Sequence, residues 1–218
     1  MANRPVFVCM NQSPFFEEVN VDFEFFPGFA LIQNRKSILS LHENFSRQHP
    51  DDPILEISSK SEDELGVKLS AFNLILNKGD QCFSVECAYQ SSKVFQNGGP
   101  YSDLLWKSSR EAKKDERLKN SGDLIGFNYF NEPFRFEPRT FFYDWLYINA
   151  LNRYKELHDG LLKYNAFTDI VFSPRRGKSC QARSAAIFVS LSRNGMLAEA
   201  LQSKEAFVEL VYYGGKYQ

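Results

Sequence analysis

The stretch at 84–95, SVECAYQSSKVF, carries Glu86, Gln90 and Lys93, with Asn97 following. In a helix each residue turns roughly 100°, so these four positions project within about 60° of one another. Val85, Ala88, Tyr89, Val94 and Phe95 cover most of the rest. A surface helix normally has a broad polar face; here the proportions are reversed. The spacing therefore predicts a helix enclosed by protein, its thin polar line turned toward a cleft or a buried network. A lysine in such a place has a distinct chemistry. A desolvated amine loses its proton more readily and can form an imine with a sugar aldehyde. A carboxylate one or two turns away can move the protons that this requires. On pattern alone, a peripheral helix whose Glu86 and Lys93 snorkel to water explains the stripe at least as well.

The elements that must position these residues read as an α+β chain, mainly α. VNVDFEFF (19–26) alternates as a half-buried strand does, and Pro27-Gly28 ends it. NRKSILSLHENFSRQ (34–48) has helical spacing, and ILEISS (54–59) is a second short strand. The segment 61–77 opens with Ser61 and Glu64 in capping-box spacing, which predicts a helix, although Gly66 weakens it. A charged helix is expected over 108–120 and a loop over 121–137. A long aromatic helix follows over 138–154, with Pro138 in its first turn, then helices from 155 onward. We find no repeat and no linker long enough to divide the 218 residues. The expectation is one domain over 1–218, with an N-terminal strand and helix extension over 1–60 and a helical catalytic core over 61–218.

Composition narrows the class. Hydrophobic content of 43% and charged content of 24% suit a globular chain, and 21 phenylalanines demand an aromatic core. The apolar runs fall far short of a spanning segment, and the N-terminus lacks a signal-peptide pattern, so the expected location is the cytoplasm and no membrane. Cys9, Cys82, Cys87 and Cys180 are scattered, as are His42, His49 and His158, which argues against a disulfide framework and against a metal site. No cofactor is implied. A net charge of −1 gives no global pull on nucleic acid, so any such binding must be local.

With these residues in view, the opening stretch resembles the signature helix of the NADAR family, S-V-E-H-x-x-Q-x-x-K. Ser84, Val85, Glu86, Gln90 and Lys93 match it. EAKKDER resembles the family's E-A-K-x-x-G-R at Glu111, Ala112, Lys113 and Arg117, and LSAFN resembles F-S-N-F at Ser70 and Phe72. The segments ILEISSKSEDELGVKLSAFNLIL, GDLIGFN and CQARSAA are similar to the NADAR antitoxins that accompany DarT-type toxins. Cys87 stands where the family has His, Ala71 where it has Asn (Asn73 being the nearby amide), and Glu116 where it has Gly. SPRRGKSCQARS occupies the region of the family's W-G-x-G segment.

The resemblance implies a YbiA-like helical fold with a few N-terminal strands. It implies an N-glycosidase that removes ADP-ribose from guanine bases in DNA, an antitoxin reversing the action of a DarT-type ADP-ribosyltransferase toxin. ADP-ribosylated DNA is then the substrate and ADP-ribose the product. Lys93 would form the Schiff base with the ribose, Glu86 would move protons and Gln90 would place sugar hydroxyls. Ser70, Asn73, Lys113, Arg117, Asn128, Trp145 and Arg183 are the further substrate-binding candidates. Asn128 would read a base edge, and Trp145 or Tyr147 would stack on a base. Asp169 is a candidate for the acid that the family carries near its last helices.

Most of the basic run 107–119 reads first as a solvated helix with local ion pairs, from which Lys113 and Arg117 are set apart by the motif they match. The loop 174–184 reads as a pyrophosphate or DNA-backbone contact, or as a solvated loop. Two other functions stay open: a YbiA-like N-glycosidase acting on phosphoribosyl-amine intermediates of riboflavin synthesis, and a non-catalytic protein that binds the toxin or modified DNA. No G-x-S-x-G and no phosphate loop supports a serine hydrolase or a triphosphatase.

Overall fold

The computed structural model describes residues 1–28, 30–174 and 177–214. Strands β1 (Ala2–Cys9) and β2 (Phe16–Phe23) form an antiparallel hairpin, paired from Ala2 and Phe23 to Cys9 and Phe16. After α1 (Leu31–Gln48) come β3 (Ile54–Glu56), α2 (Glu64–Lys68) and the hairpin of β4 (Ile75–Lys78) with β5 (Gln81–Ser84). Next are α3 (Val85–Ser91), β6 (Lys93–Phe95), a 3-10 turn at Ser102–Trp106, α4 (Ser109–Lys114) and α5 (Arg117–Asn120). Strands β7 (Leu124–Tyr129) and β8 (Glu132–Arg135) join β6 in a second sheet, ordered β6-β7-β8. The chain continues through α6 (Phe141–Leu151), α7 (Lys155–Leu161) and β9 (Ala166–Thr168). It closes with α8 (Gln181–Arg193), α9 (Leu197–Ala200) and α10 (Lys204–Tyr212).

The principal sheet has the order β2-β1-β9-β3. β9 runs antiparallel to β1 and parallel to β3, so a strand from the C-terminal half lies between two from the N-terminal segment. Successive side chains point to opposite faces of a strand, and both faces here are covered. Val6, Val8 and Ala166 pack with Ile38, Leu41 and Phe45 of α1. Phe7, Leu55 and Phe167 face the other way, into the larger core with α3, α6 and α8. Two buried faces explain why the runs PVFVC, ILE and AFT are nearly continuous in apolar residues rather than alternating.

The α+β class expected from sequence is the one observed, but several elements differ. The helix expected over 61–77 is confined to Glu64–Lys68. Its cap is Asp63, whose carboxylate accepts from the Leu65 amide at 2.8 Å, while Ser61 Oγ accepts from the Asp63 amide at 3.2 Å. Gly66 is needed for contact: a Cβ there would lie 2.0 Å from the Glu56 carbonyl and 2.5 Å from Ser61 Oγ. Only glycine lets this turn press against the end of β3.

The helix expected over 84–95 stops at Ser91. Ser91 and Ser92 each donate a hydroxyl to the Ala88 carbonyl, at 3.1 and 2.7 Å, and such side-chain bonds compete with helix continuation. Lys93 accordingly opens strand β6, and only Glu86 and Gln90 share a helix face. The charged helix over 108–120 breaks at Asp115, whose carboxylate accepts from the backbone and side chain of Arg117. The expected loop over 121–137 is the β7–β8 hairpin. Its turn is Phe130-Asn131, both at positive φ (51° and 67°), the geometry of a tight hairpin without its usual glycine.

Candidate functional site

A cleft of about 550 Å³ opens between the end of β3, α3, α4 and the segment leading into α8. Its size lies in the range of small-molecule sites. The first turn of α3 is fixed from several directions. Ser84 caps it by accepting from the Cys87 amide at 3.1 Å, and its hydroxyl lies 2.7 Å from Ser109 Oγ at the start of α4. The Val85 and Glu86 amides donate to the Leu74 and Ala71 carbonyls, both at 2.9 Å. The 70–74 turn is thereby clamped onto the helix that carries Glu86.

Gln181 joins the remaining walls. Its Oε1 accepts from the Ala71 amide at 2.8 Å, and its Nε2 donates to the Ile57 carbonyl at 2.6 Å and to Asp169 Oδ2 at 3.0 Å. One buried amide thus fixes the F-S-N-F-like turn, β3 and Asp169 together. Asp169 also accepts from the Val171 and Phe172 amides at 3.0 and 3.1 Å. Behind it lies Glu56, fully enclosed, accepting from Thr168 Oγ1 at 2.6 Å and from the Ile170 amide at 2.9 Å. Burial raises both carboxyls, and the charge of Glu56 raises Asp169 further.

Glu86 and Gln90 reach the cleft from α3 and Lys93 from the first position of β6. Gln90 Nε2 donates to Glu86 Oε1 at 2.9 Å, and Lys113 Nζ lies 3.7 Å from the same oxygen. With its amide oriented this way, Gln90 leaves its own carbonyl oxygen buried and without a donor among the described residues. Lys93 Nζ sits 4.6 Å from the centre of the Tyr89 ring. Tyr89 packs edge-on against Tyr143, with ring centres 4.9 Å apart, and its hydroxyl lies 3.1 Å from Ser179 Oγ.

Lys93 keeps part of its side chain in contact with solvent. Desolvation nevertheless dominates its ionisation, because charging the amine means charging it against aromatic walls. Its pKa falls from 10.5 to about 8: burial lowers it, the charge of Glu86 raises it, and Lys113 lowers it again. The tyrosine beside it is moved the opposite way, to about 12, also by burial. The arrangement can offer a neutral amine near physiological pH, a carboxylate beside it and an acceptor for a ligand hydroxyl.

The structure gathers five of the sequence-predicted residues at this cleft: Lys93, Glu86, Gln90, Lys113 and Ser70. The other five lie elsewhere. Asn73 is exposed and donates to the Val67 carbonyl at 2.8 Å. Arg117 is held by Asp115 and Asp103 and lies over the Tyr101 ring. Trp145 packs on Phe134, with ring centres 5.1 Å apart. Asn128 belongs to β7 and borders a separate hollow of about 180 Å³ with Tyr129 and Phe130. Arg183 forms a buried ion pair of 2.6 Å with Asp144, which also accepts from Ser184 and Tyr212. Tyr147 is buried, donating to the Leu69 carbonyl at 2.7 Å.

Asp169, weighed from sequence, does line the cleft. Sequence reasoning missed Gln181, Tyr89 and Tyr143; the first lies in the CQARSAA segment and Tyr89 within the opening motif itself. Arg175 and Arg176 of the basic loop lie outside the described residues.

Among the described residues no helix is long and apolar enough to cross a membrane. They also contain no group of three or more His, Cys, Asp or Glu side chains able to hold a metal ion. Comparison with curated proteins finds no match. The family model described as DarT1-associated NADAR antitoxin matches residues 2–218. A match of that span shows that the chain belongs to the family of DarT1-associated NADAR antitoxins.

Proposed function

We propose that this antitoxin is an N-glycosidase that removes ADP-ribose from guanine bases in DNA and so reverses the action of a DarT-type toxin. The observation that carries this reading is the amine of Lys93, set in a cleft large enough for a nucleotide and brought to a pKa of about 8 by desolvation. The unpartnered Gln90 carbonyl oxygen supports it, because a buried acceptor costs about 1–3 kcal/mol unless a ligand hydroxyl donates to it.

In the proposed sequence the ribose ring opens with protonation of its ring oxygen. The lone pair of neutral Lys93 then adds to the anomeric carbon, and the bond from that carbon to the guanine nitrogen breaks. The nitrogen leaves with a proton, restoring the base. Water hydrolyses the lysine imine, returning the amine and free ADP-ribose. Glu86 relays protons at the anomeric centre. Gln90 holds a sugar hydroxyl, and Lys113 keeps the Glu86 carboxylate in place.

The test is incubation with an oligonucleotide carrying ADP-ribosylated guanine, followed by detection of the unmodified strand. Lys93→Ala and Lys93→Arg should both abolish turnover, since a guanidinium keeps the charge but cannot act as the amine. Borohydride should trap an adduct on the wild-type protein alone. Appreciable hydrolysis by either variant would remove the lysine mechanism.

A further inference from the structure

The hollow of about 180 Å³ beside Asn128 shares no lining residue with the cleft. It lies where the end of α3 meets the β7–β8 hairpin: Ser91 and Ser92 form its floor, Tyr129 and Phe130 its aromatic wall, and Asn128 and Asn131 its rim. Ser91 and Ser92 are buried and spend their hydroxyl protons on the Ala88 carbonyl, which leaves only oxygen lone pairs for anything above them. The side-chain amides of Asn128 and Asn131 bond no described residue. No charged side chain lines the hollow, so nothing in it would compensate a phosphate or a carboxylate.

The wall is preformed at a cost. Phe130 and Asn131 stand at φ of 51° and 67°, a region where a bulky residue such as phenylalanine is an outlier. The Phe130 ring is fixed there by Lys78 Nζ, 3.5 Å from its centre, and by the Tyr129 ring, edge-on at 4.7 Å. Strain held at a cavity wall is an observation from which a binding role can be inferred. Aromatic walls suit a flat ring, and a free asparagine amide pairs best with a neighbouring donor and acceptor, as it does with the edge of adenine. The volume is about a third of the cleft's and suits one ring system, not a whole nucleotide.

We propose that this hollow is a second binding site, which takes a free, neutral, planar heterocycle with an amide-like edge: a pyridine carboxamide or a purine base. Ser92 directly precedes Lys93, and its carbonyl accepts from the Asn128 backbone amide at 2.7 Å. The floor of the site is therefore the same backbone that delivers the lysine to the cleft.

Titration of the isotope-labelled protein with nicotinamide, adenine and nicotinic acid, followed by proton–nitrogen NMR, tests this. A ligand of about ten heavy atoms in a preformed site predicts a Kd on the order of 1 mM. Shifts should appear at the backbone amides of Ser91, Ser92, Tyr129 and Phe130 and at the side-chain amides of Asn128 and Asn131. Nicotinic acid, the same ring as nicotinamide with a carboxylate, should bind at least tenfold more weakly, because the hollow offers it no cation. Asn128→Ala with Asn131→Gly removes both rim amides, and glycine suits the positive φ of the turn. The double variant should keep a folded spectrum and lose tenfold or more in affinity for the neutral ligands.

No shift at these positions with nicotinamide or adenine up to about 5 mM, five times the expected Kd, overturns the proposal. So do shifts confined to the cleft, or undiminished binding by the folded double variant. Equal binding of nicotinic acid overturns the assignment of a neutral ligand, and it does so whether or not the variant folds. Binding of nicotinamide alone, or of adenine alone, supports the site and identifies which source of the shared chemistry it takes. The measurement involves no hydrolysis, so its result stands apart from the N-glycosidase reading.

Discussion

Replacing Lys93 with Met tests the energetic basis of the site apart from its activity. The folded pKa of Lys93, about 8, lies below its value of 10.5 in the unfolded chain, so folding penalises the protonated form. The penalty is fully present below about pH 8, fades as pH rises from 8 to 10.5, and is gone above that, where both states are neutral. Its full size is about 3 kcal/mol, taking 1.36 kcal/mol for each tenfold change in proton affinity. Met keeps the length and apolar stem but cannot charge. Lys93→Met should therefore be more stable than wild type at pH 6–7. For a chain of this size the excess corresponds to a melting temperature roughly 10 °C higher. Any packing difference between the two side chains is independent of pH, so the telling quantity is how the gap changes. Thermal unfolding followed by circular dichroism at pH 6, 7, 8, 9 and 10.5 should show the gap shrinking by about 3 kcal/mol across the upper part of that range. A gap constant with pH, or one that widens toward alkaline pH, would refute the claim that the amine is desolvated.

Three further outcomes follow from named contacts. Glu86→Gln should lower kcat by roughly 100-fold or more if the carboxylate moves protons. It should also shift the rising limb of borohydride trapping to lower pH, because the charge that holds the Lys93 pKa up is lost. Asp144→Ala strips a buried acceptor from Arg183, Ser184 and Tyr212 and should cost about 3–5 kcal/mol in urea unfolding. Gly66→Ala forces a methyl against the Glu56 carbonyl and should cost about 2–3 kcal/mol, read in the same assay.

Residue types were more legible in the sequence than the backbone that carries them. Glu86, Gln90 and Lys93 do meet in one cleft, but not as a helical stripe. Ser91 and Ser92 end the helix with their own hydroxyls, and a strand delivers the lysine instead. Periodicity over four residues cannot register such a change of element, because an apolar run such as KVF suits either one. The β7–β8 hairpin was hidden for a related reason: its turn uses Phe130 and Asn131 at positive φ, where glycine is the usual marker. The shared wall of Gln181, Ala71 and Asp169 joins positions about 100 residues apart, and nothing local in the chain announces such a contact. Arg117 matches its motif yet spends its charge on Asp103 and Asp115, so motif agreement located a residue without indicating its partner.

The placement of β9 has a consequence for how the protein comes into being. On a ribosome the β1–β2 hairpin and β3 emerge early, yet the strand that sits between them is encoded by residues 166–168. At a synthesis rate of about 5–20 residues per second, β3 waits roughly ten seconds with an unsatisfied edge before its neighbour exists. Any truncated product that ends before that strand lacks both the central rung of the sheet and Asp169. Toxin neutralisation would thus lag behind translation, and a cell that stalls in mid-message would hold no partly competent antidote.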